Sequence, residues 1–333
     1  MKKIAVVGMG SWGTTLAILL AEKGFPVIGW EWVKEYADAM QKENENKLFL
    51  PNCPFPKNLN ATNNLEKAIS FGEIIVLALP SHAVRNIISK VKSKLGVKKI
   101  ISLTKGIEVE TLMRISEILI DEVGISTKNF AALSGPTHAE EVSKKLPATI
   151  VAASTSEKFA VEVQNIFMTN YFRVYTSSDL IGVEMGAALK NVIAIGAGIA
   201  DGMNLGDNSK AALITRGLRE ITRLGVKCGA NPHTFSGVSG IGDLIVTCGS
   251  KHSRNRFVGE QLAKGKSLKE IIDNMKMVAE GVKTTKAAYH LAQKMNVEMP
   301  ITNQIYKILF EELSPKIGLK NLMTRSAKTE DEF

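Results

Sequence analysis

Lys190 lies inside a run of small and apolar residues, Gly186-Ala-Ala-Leu-Lys190-Asn-Val-Ile-Ala-Ile-Gly196-Ala-Gly-Ile-Ala200. Small side chains let neighbouring backbones approach closely, so the run predicts a helix packed in a domain core. An ammonium buried there loses hydration, which lowers its pKa from the ~10.4 of a free lysine. Such a group can exchange a proton with a substrate near neutral pH. The competing reading is a lysine that snorkels along its helix to water. Further on, Gly240-Ile-Gly-Asp243-Leu-Ile-Val-Thr247-Cys-Gly sets a carboxylate in a glycine-rich turn, where glycine permits close approach to a ligand. Ser253-Arg254-Asn255-Arg256 then opens a helix over 257–264. Ser253 is a natural N-cap, and helix N–H groups beside a guanidinium and an amide form a phosphate site. An ordinary cap with surface arginines is the alternative. Asp207-Asn208 reads as a helix cap and is left out of the site.

The chain opens with a second kind of chemistry. Ile4-Ala-Val-Val7 predicts a strand, Gly8-Met-Gly10-Ser-Trp-Gly13 follows at once, and Thr14–Ala21 continues as a helix before Val27-Ile-Gly-Trp30. In this context GxGxxG has a physical role: Gly8 permits the turn, Gly10 leaves room for a pyrophosphate, and Gly13 lets helix pack on strand. The helix N-terminus meets the phosphate charge. Cofactor choice is read past the second strand, where Glu31, Trp32 and Val33 precede the first cation, Lys34. A carboxylate and an aromatic ring suit the adenosine of NAD better than the extra phosphate of NADP.

These residues need elements to hold them. With 333 residues, 45% of them hydrophobic, the chain is comfortable as two domains. Strand candidates at 4–7, 27–30, 74–79, 99–103, 129–133, 149–153 and 172–175 alternate with helices around 34–44, 83–94 and 111–123. The expected fold is α/β: an N-terminal Rossmann-type, doubly wound, mostly parallel sheet. From about 180 strand signals stop, and helices are expected over 182–200, 208–227, 254–264, 267–274, 281–295 and 300–312. Ser267 with Glu270 forms a capping-box signature, and Asn208-Ser209 reads as another helix start. The expected division is a dinucleotide domain over 1–179 and an all-α substrate and catalytic domain over 180–333. Ligands of such sheets bind beyond the carboxyl ends of strands. Leu79-Pro80-Ser81, Thr104-Lys105-Gly106 and Ser134-Gly-Pro-Thr-His-Ala139 stand at such ends. Lys105 is expected to face the crevice and meet cofactor or anionic substrate, against the alternative of a solvated loop lysine. His138 reads as a polar cap more than a base.

Cys53, Cys228 and Cys248 show no metal-ligand spacing, which points to no metal site and to a reducing cytoplasm. The net charge of +9, from 42 basic and 33 acidic residues, comes without a basic run interleaved with aromatics, so no nucleic-acid partner is expected. Met1-Lys-Lys before an apolar run mimics a secretory signal, but the residues at 8–15 break it. No uninterrupted apolar run reaches about 18 residues, so no transmembrane segment is expected.

The ordered pieces together resemble the NAD(P)-dependent glycerol-3-phosphate dehydrogenases over nearly the whole chain. Carrying the resemblance are Gly8-x-Gly10-Ser-Trp-Gly13, Phe49-Leu-Pro51, Ser102-Leu-Thr-Lys105-Gly-Ile-Glu108 and Ser134-Gly-Pro136. Later pieces are Ala188-Leu-Lys190-Asn-Val-Ile-Ala-Ile-Gly-Ala-Gly198, Gly206-Asp-Asn-Ser-Lys210-Ala-Ala-Leu-Ile-Thr-Arg216-Gly217, Gly240-Ile-Gly-Asp243, Ser253-Arg-Asn255 and Val278-Ala-Glu-Gly-Val282. The resemblance implies reversible oxidation of sn-glycerol 3-phosphate to dihydroxyacetone phosphate, feeding glycerophospholipid synthesis, by a cytoplasmic homodimer. It implies Lys190 as proton acceptor at the C2 hydroxyl, close to Asp243. It implies substrate contacts from Lys105, Gly135, Thr137, Thr247, Ser253, Arg254 and Asn255. The cofactor would be lined by Gly8, Gly10, Ser11, Trp12, Gly13, Trp32, Phe49, Lys105, Ala139, Arg254, Val278 and Glu280. Trp32 departs from the arginine frequent near this position in bacterial relatives and is closer to the aromatic of NAD-linked ones. Thr137-His138 departs from the common serine and phenylalanine, yet keeps a hydroxyl.

Overall fold

The computed structural model describes residues 1–275 and 278–330, and the chain divides into two compact units. The first comprises Met1–Thr104 and Ile115–Leu180; the second comprises Lys105–Arg114 and the chain from Ile181 onward.

The first unit is built on one eight-stranded sheet. Its strands are β1 (Ile4–Val7), β2 (Val27–Trp30), β3 (Leu59–Thr62), β4 (Ile74–Leu77), β5 (Lys99–Ser102), β6 (Phe130–Ser134), β7 (Ala148–Ala153) and β8 (Phe172–Ser177). They run in the order β3-β2-β1-β4-β5-β6-β7-β8, parallel throughout except for the antiparallel pair β6 and β7. β1 and β4 are buried at every position, as a parallel sheet covered on both faces requires. Intervening helices are α1 (Ser11–Glu22), α2 (Lys34–Glu43), α3 (Leu65–Phe71), α4 (Val84–Ser89), α5 (Lys92–Leu95), α6 (Ile115–Val123), α7 (Ala139–Val142) and α8 (Glu157–Phe167). Strand order reverses between β1 and β4, the crevice where ligands of open α/β sheets bind. The pattern reading missed β3 because Leu-Asn-Ala-Thr has no apolar run; as an edge strand it buries Leu59 and Ala61 and exposes Asn60.

The second unit contains α9 (Leu180–Gly202), α10 (Gly206–Lys227), α11 (Pro232–Phe235), α12 (Asp243–Gly249), α13 (Arg254–Ala263), α14 (Leu268–Asp273), α15 (Glu280–Lys294), α16 (Pro300–Phe310) and α17 (Pro315–Met323). Among its described residues there is no β-strand, only an isolated bridge between Ile107 and Arg114. α9 is long and apolar enough to cross a membrane, but 94% of its most apolar window is buried, as befits a core helix. Glycines decide how it packs. A Cβ on Gly198 would overlap the carbonyl of Arg256, and one on Gly259 would overlap that of Ile195. α9 and α13 therefore cross with backbones touching.

Three expectations are corrected. The single break near 179 omits Lys105–Arg114, which joins the second unit because Ile107 is buried as part of that unit's hydrophobic core. The expected turn at 240–243 is a π-helical turn, Val238–Gly242, that runs directly into α12, so Asp243 is a helical residue. α10 starts earlier than Asn208, at Gly206 with φ +80°, so Asp207 and Asn208 lie in its first turn instead of capping it. The Ser267–Glu270 capping box is present, with Ser267 N–H donating to Glu270 Oε2 at 2.8 Å.

Candidate active site

In the first unit the chain leaves β1 through Gly8, whose φ of +106° favours glycine. A Cβ there would come within 2.6 Å of the Ala78 carbonyl oxygen, and one on Gly13 would overlap the Gly8 carbonyl. Gly8 and Gly13 are thus fixed by packing. A Cβ on Gly10 would meet nothing within 4 Å, so this position faces open space at the start of α1, whose N-cap makes no side-chain hydrogen bond. A helix N-terminus behind an open glycine fits a pyrophosphate.

Around this loop, Ser11 Oγ donates to the Phe49 carbonyl at 2.7 Å. The Trp12 ring packs 6.3 Å from that of Phe172, and its buried Nε1 has no hydrogen-bond partner in the protein. Glu31 is only 3% exposed; its carboxyl accepts from the Val33 N–H at 3.2 Å, and burial pushes its pKa up despite the amides of Val33, Trp32 and Met9. Trp32 is 74% exposed. Asn46 was missed by the sequence reading. Its amide donates to the Met9 carbonyl at 2.6 Å and to Thr14 Oγ1 at 2.8 Å, while its Oδ1 accepts from the Phe49 N–H at 3.1 Å. One buried side chain ties the glycine loop to the Phe49-Leu-Pro51 segment. Its position just before that segment was the available signal.

Gly135, Thr137 and Ala139 stand at the corner between β6 and α7. A Cβ on Gly135 would come within 2.8 Å of Ile150 Cα and the Thr149 carbonyl, so packing of β6 on β7 already requires this glycine. Thr137 Oγ1 donates to the Gly135 carbonyl at 3.1 Å. Ala139 is the first residue of α7; His138 occupies the N-cap position without making the expected side-chain cap bond.

The second unit gathers the ionisable groups. Lys190 does not snorkel: its side chain is 6% exposed, its ammonium pairs with Asp243 Oδ1, and it donates to Thr247 Oγ1 at 2.9 Å. Thr247 Oγ1 in turn donates to the Asp243 carbonyl at 2.6 Å. The other Asp243 carboxylate oxygen accepts from Lys105 Nζ at 3.2 Å. Burial lowers the Lys190 pKa to about 7, helped by the Lys105 charge and opposed by Asp243. Burial alone would raise the Asp243 pKa, but Lys105 and Lys190 together hold it below the usual carboxylate range. The cluster is a buried lysine–carboxylate pair with one flanking cation.

Ser253 caps α13, accepting from the Arg256 N–H at 3.3 Å. Arg254 is exposed and donates through Nη1 to the Val278 carbonyl at 3.0 Å. Asn255 is buried: its Oδ1 accepts from the Gly281 N–H at 2.8 Å, next to Glu280, and its Nδ2 donates to Asn191 Oδ1 at 2.9 Å. Asn191, the second residue missed from sequence, follows Lys190 on α9 and so joins the buried Lys190–Asp243 pair to the α13 corner. Among the described residues no three His, Cys, Asp or Glu side chains gather into a metal-ligand set.

Comparison with known proteins agrees along the chain. The family model for the NAD-dependent glycerol-3-phosphate dehydrogenase N-terminus matches residues 3–160, and that for the C-terminus matches residues 179–320. The glycerol-3-phosphate dehydrogenase (NAD(P)+) of Lysinibacillus sphaericus strain C3-41 is 50% identical over 332 residues, covering 99% of this chain and 98% of the relative. Its counterpart from Chlorobium limicola is 49% identical over 329 residues, with 98% and 99% covered. The crystal structure of glycerol-3-phosphate dehydrogenase from Coxiella burnetii superposes with a TM-score of 0.94 at 38% identity, covering 97% of this chain and 99% of that one. The chain belongs to the NAD-dependent glycerol-3-phosphate dehydrogenase family.

Proposed function

We propose that this chain catalyses reversible hydride transfer between sn-glycerol 3-phosphate and NAD(P)+, giving dihydroxyacetone phosphate. The observation that carries the reading is the buried Lys190–Asp243 pair, held by Thr247 and flanked by Lys105. When bound, the nicotinamide supplies the hydride acceptor or donor. In the oxidative direction Lys190, as a neutral amine, accepts the C2 hydroxyl proton; in the reductive direction its ammonium returns that proton to the C2 oxygen. Asp243 and Thr247 fix the amine, while Lys105 keeps its proton labile and attracts the anionic substrate. Ser253, Arg254 and Asn255 bind the phosphate, with Gly135 and Thr137 as further substrate contacts. Gly8, Gly10, Ser11, Trp12, Gly13, Phe49 and Ala139 hold the cofactor, joined by Lys105, Arg254, Val278 and Glu280.

Glu31 and Trp32 favour NAD over NADP in this reading, since β2 is followed by a buried carboxyl and an exposed ring where a second phosphate needs a cation. The working protein is a cytoplasmic homodimer that supplies glycerol 3-phosphate for glycerophospholipid synthesis. The deciding experiment follows NADH absorbance as dihydroxyacetone phosphate is added to purified protein. A steady fall is expected, faster with NADH than with NADPH. Turnover of hydroxyisobutyrate with none of glycerol 3-phosphate would replace the reading with a β-hydroxyacid dehydrogenase.

A further inference from the structure

Lys105 reaches Asp243 from a segment with unusual placement. The chain leaves β5, contributes Lys105–Arg114 to the second unit, and returns to the first at α6. Within the segment an antiparallel bridge joins Ile107 to Arg114, Glu108 N–H donates to the Met113 carbonyl at 3.0 Å, and Leu112 takes a left-handed φ of +62°. The segment is therefore a closed loop whose far end is Arg114. That end carries an ion pair: Arg114 Nη1 lies 2.5 Å from Glu184 Oε2, with side-chain exposures of 13% and 6%. Glu184 belongs to α9, the helix that also carries Lys190.

We infer that Arg114 and Glu184 are positioning residues that pin this loop to α9 and thereby hold Lys105 against Asp243. The reasoning is mechanical. Lys105 is a long side chain on a loop, and its reach to Asp243 depends on where the loop base stands. Ile107 anchors the near side by burial; the Arg114–Glu184 pair anchors the far side, and the Ile107–Arg114 bridge makes the two anchors one body. A shielded, charge-assisted contact of this kind has the directional stiffness that apolar burial lacks. Because loop and catalytic lysine share α9 as their base, the cation beside Asp243 keeps its distance from Lys190.

The inference rests on the proposed roles of Lys105 and Lys190. Its test compares Arg114→Met, Glu184→Gln and Lys105→Ala in the full-length enzyme. The readouts are kcat/KM for glycerol 3-phosphate across roughly pH 6 to 9 and hydrogen exchange of residues 106–113. The Lys105 charge lowers the Lys190 pKa, so displacing it moves the limb of the pH profile upward. Arg114→Met and Glu184→Gln should each quicken exchange in the loop, lower kcat/KM by about ten- to a hundredfold, the range for small misplacements, and shift the limb upward as Lys105→Ala does. Adding Arg114→Met to Lys105→Ala should cost little more. Arg114→Lys should recover part of the loss. Unchanged loop exchange, or losses that multiply in the double variant, would overturn the pin. A Lys105→Ala enzyme with an unaltered pH profile would overturn the assigned role of Lys105, and the inference with it.

Discussion

Lys190 and Asp243 pair their charges almost out of reach of water, the lysine side chain 6% exposed and the aspartate 1%. Each charge moves the other: the carboxylate opposes the burial that lowers the lysine pKa, and the ammonium helps hold the carboxyl ionised. A buried pair of this kind is a poor stabiliser, since desolvation offsets much of the attraction. In the proposed function its value lies in setting the protonation of one amine.

Kinetics against pH test that assignment. Oxidation of glycerol 3-phosphate needs the neutral amine, so kcat/KM should rise with pH through the Lys190 pKa, near 7, and level off above it. Reduction of dihydroxyacetone phosphate needs the ammonium and should decline over the same range. Asp243→Asn removes the charge that raises the lysine pKa and should move the limb to lower pH. Lys190→Ala should lower turnover by more than about a hundredfold with the pH limb lost. A variant retaining near-normal turnover would exclude Lys190 as the proton acceptor.

Asn46 offers a separate handle on the first unit. Asn46→Ala removes two bonds to the glycine loop and α1 and one to the Phe49 N–H. Buried groups left without partners cost about 1–3 kcal/mol each. The expected result is a higher KM for NADH with the KM for dihydroxyacetone phosphate nearly unchanged. Equal rises in both would place Asn46 outside cofactor binding.

Gly259 tests how the proposed phosphate corner at the start of α13 is positioned. Gly259→Ala sets a methyl against the Ile195 carbonyl and 2.8 Å from the Ile199 amide nitrogen, forcing α13 off α9. Overpacking of this kind costs about 1–3 kcal/mol. Thermal unfolding should show the lost stability, and the Asn255–Asn191 bond should loosen, raising the KM for phosphorylated substrate. Wild-type stability and KM together would contradict the backbone contact.

Glu220 gives a pH-dependent stability. Its buried carboxyl accepts from the Ile301 N–H at 2.5 Å, and from the Thr302 N–H at 3.0 Å and Oγ1 at 2.9 Å, so α10 caps α16. Burial raises its pKa from 4.5 to about 7, against the pull of those donors and of Arg223. Between these values the folded chain binds more protons than the unfolded one, so this group's contribution falls as pH rises from about 4.5 to 7. Glu220→Gln cannot titrate. Relative to wild type it should be more stable at pH 8 than at pH 5 when melting curves are compared, and parallel curves would refute the assignment.

The motifs that make up the candidate site were legible because each is local. Gly8 and Gly13 fix a turn by what a Cβ would strike, Gly10 leaves open space at the helix start, and Lys190 stands out because a charge among small apolar residues must be compensated. Ser253 and Ser267 announce helix starts through side-chain geometry within a few residues. Periodicity showed the sheet and the helical half for the same reason. It missed β3, an edge strand whose Leu59 and Ala61 are buried while Asn60 is exposed, because that burial depends on neighbouring elements.

Tertiary structure decided what composition leaves open. Sequence could not choose between a snorkelling and a buried Lys190; packing of α9 and the carboxylate from α12 chose burial. Nor could it assign Lys105–Arg114 to the second unit, since that depends on Ile107 entering a core formed by residues far along the chain. Asn46 and Asn191 carry no signature of their own, as an asparagine becomes a clamp only when distant donors and acceptors converge on its amide. Local sterics and periodicity are written along the chain, whereas pairing of buried charges and amides exists only after folding has brought remote segments together.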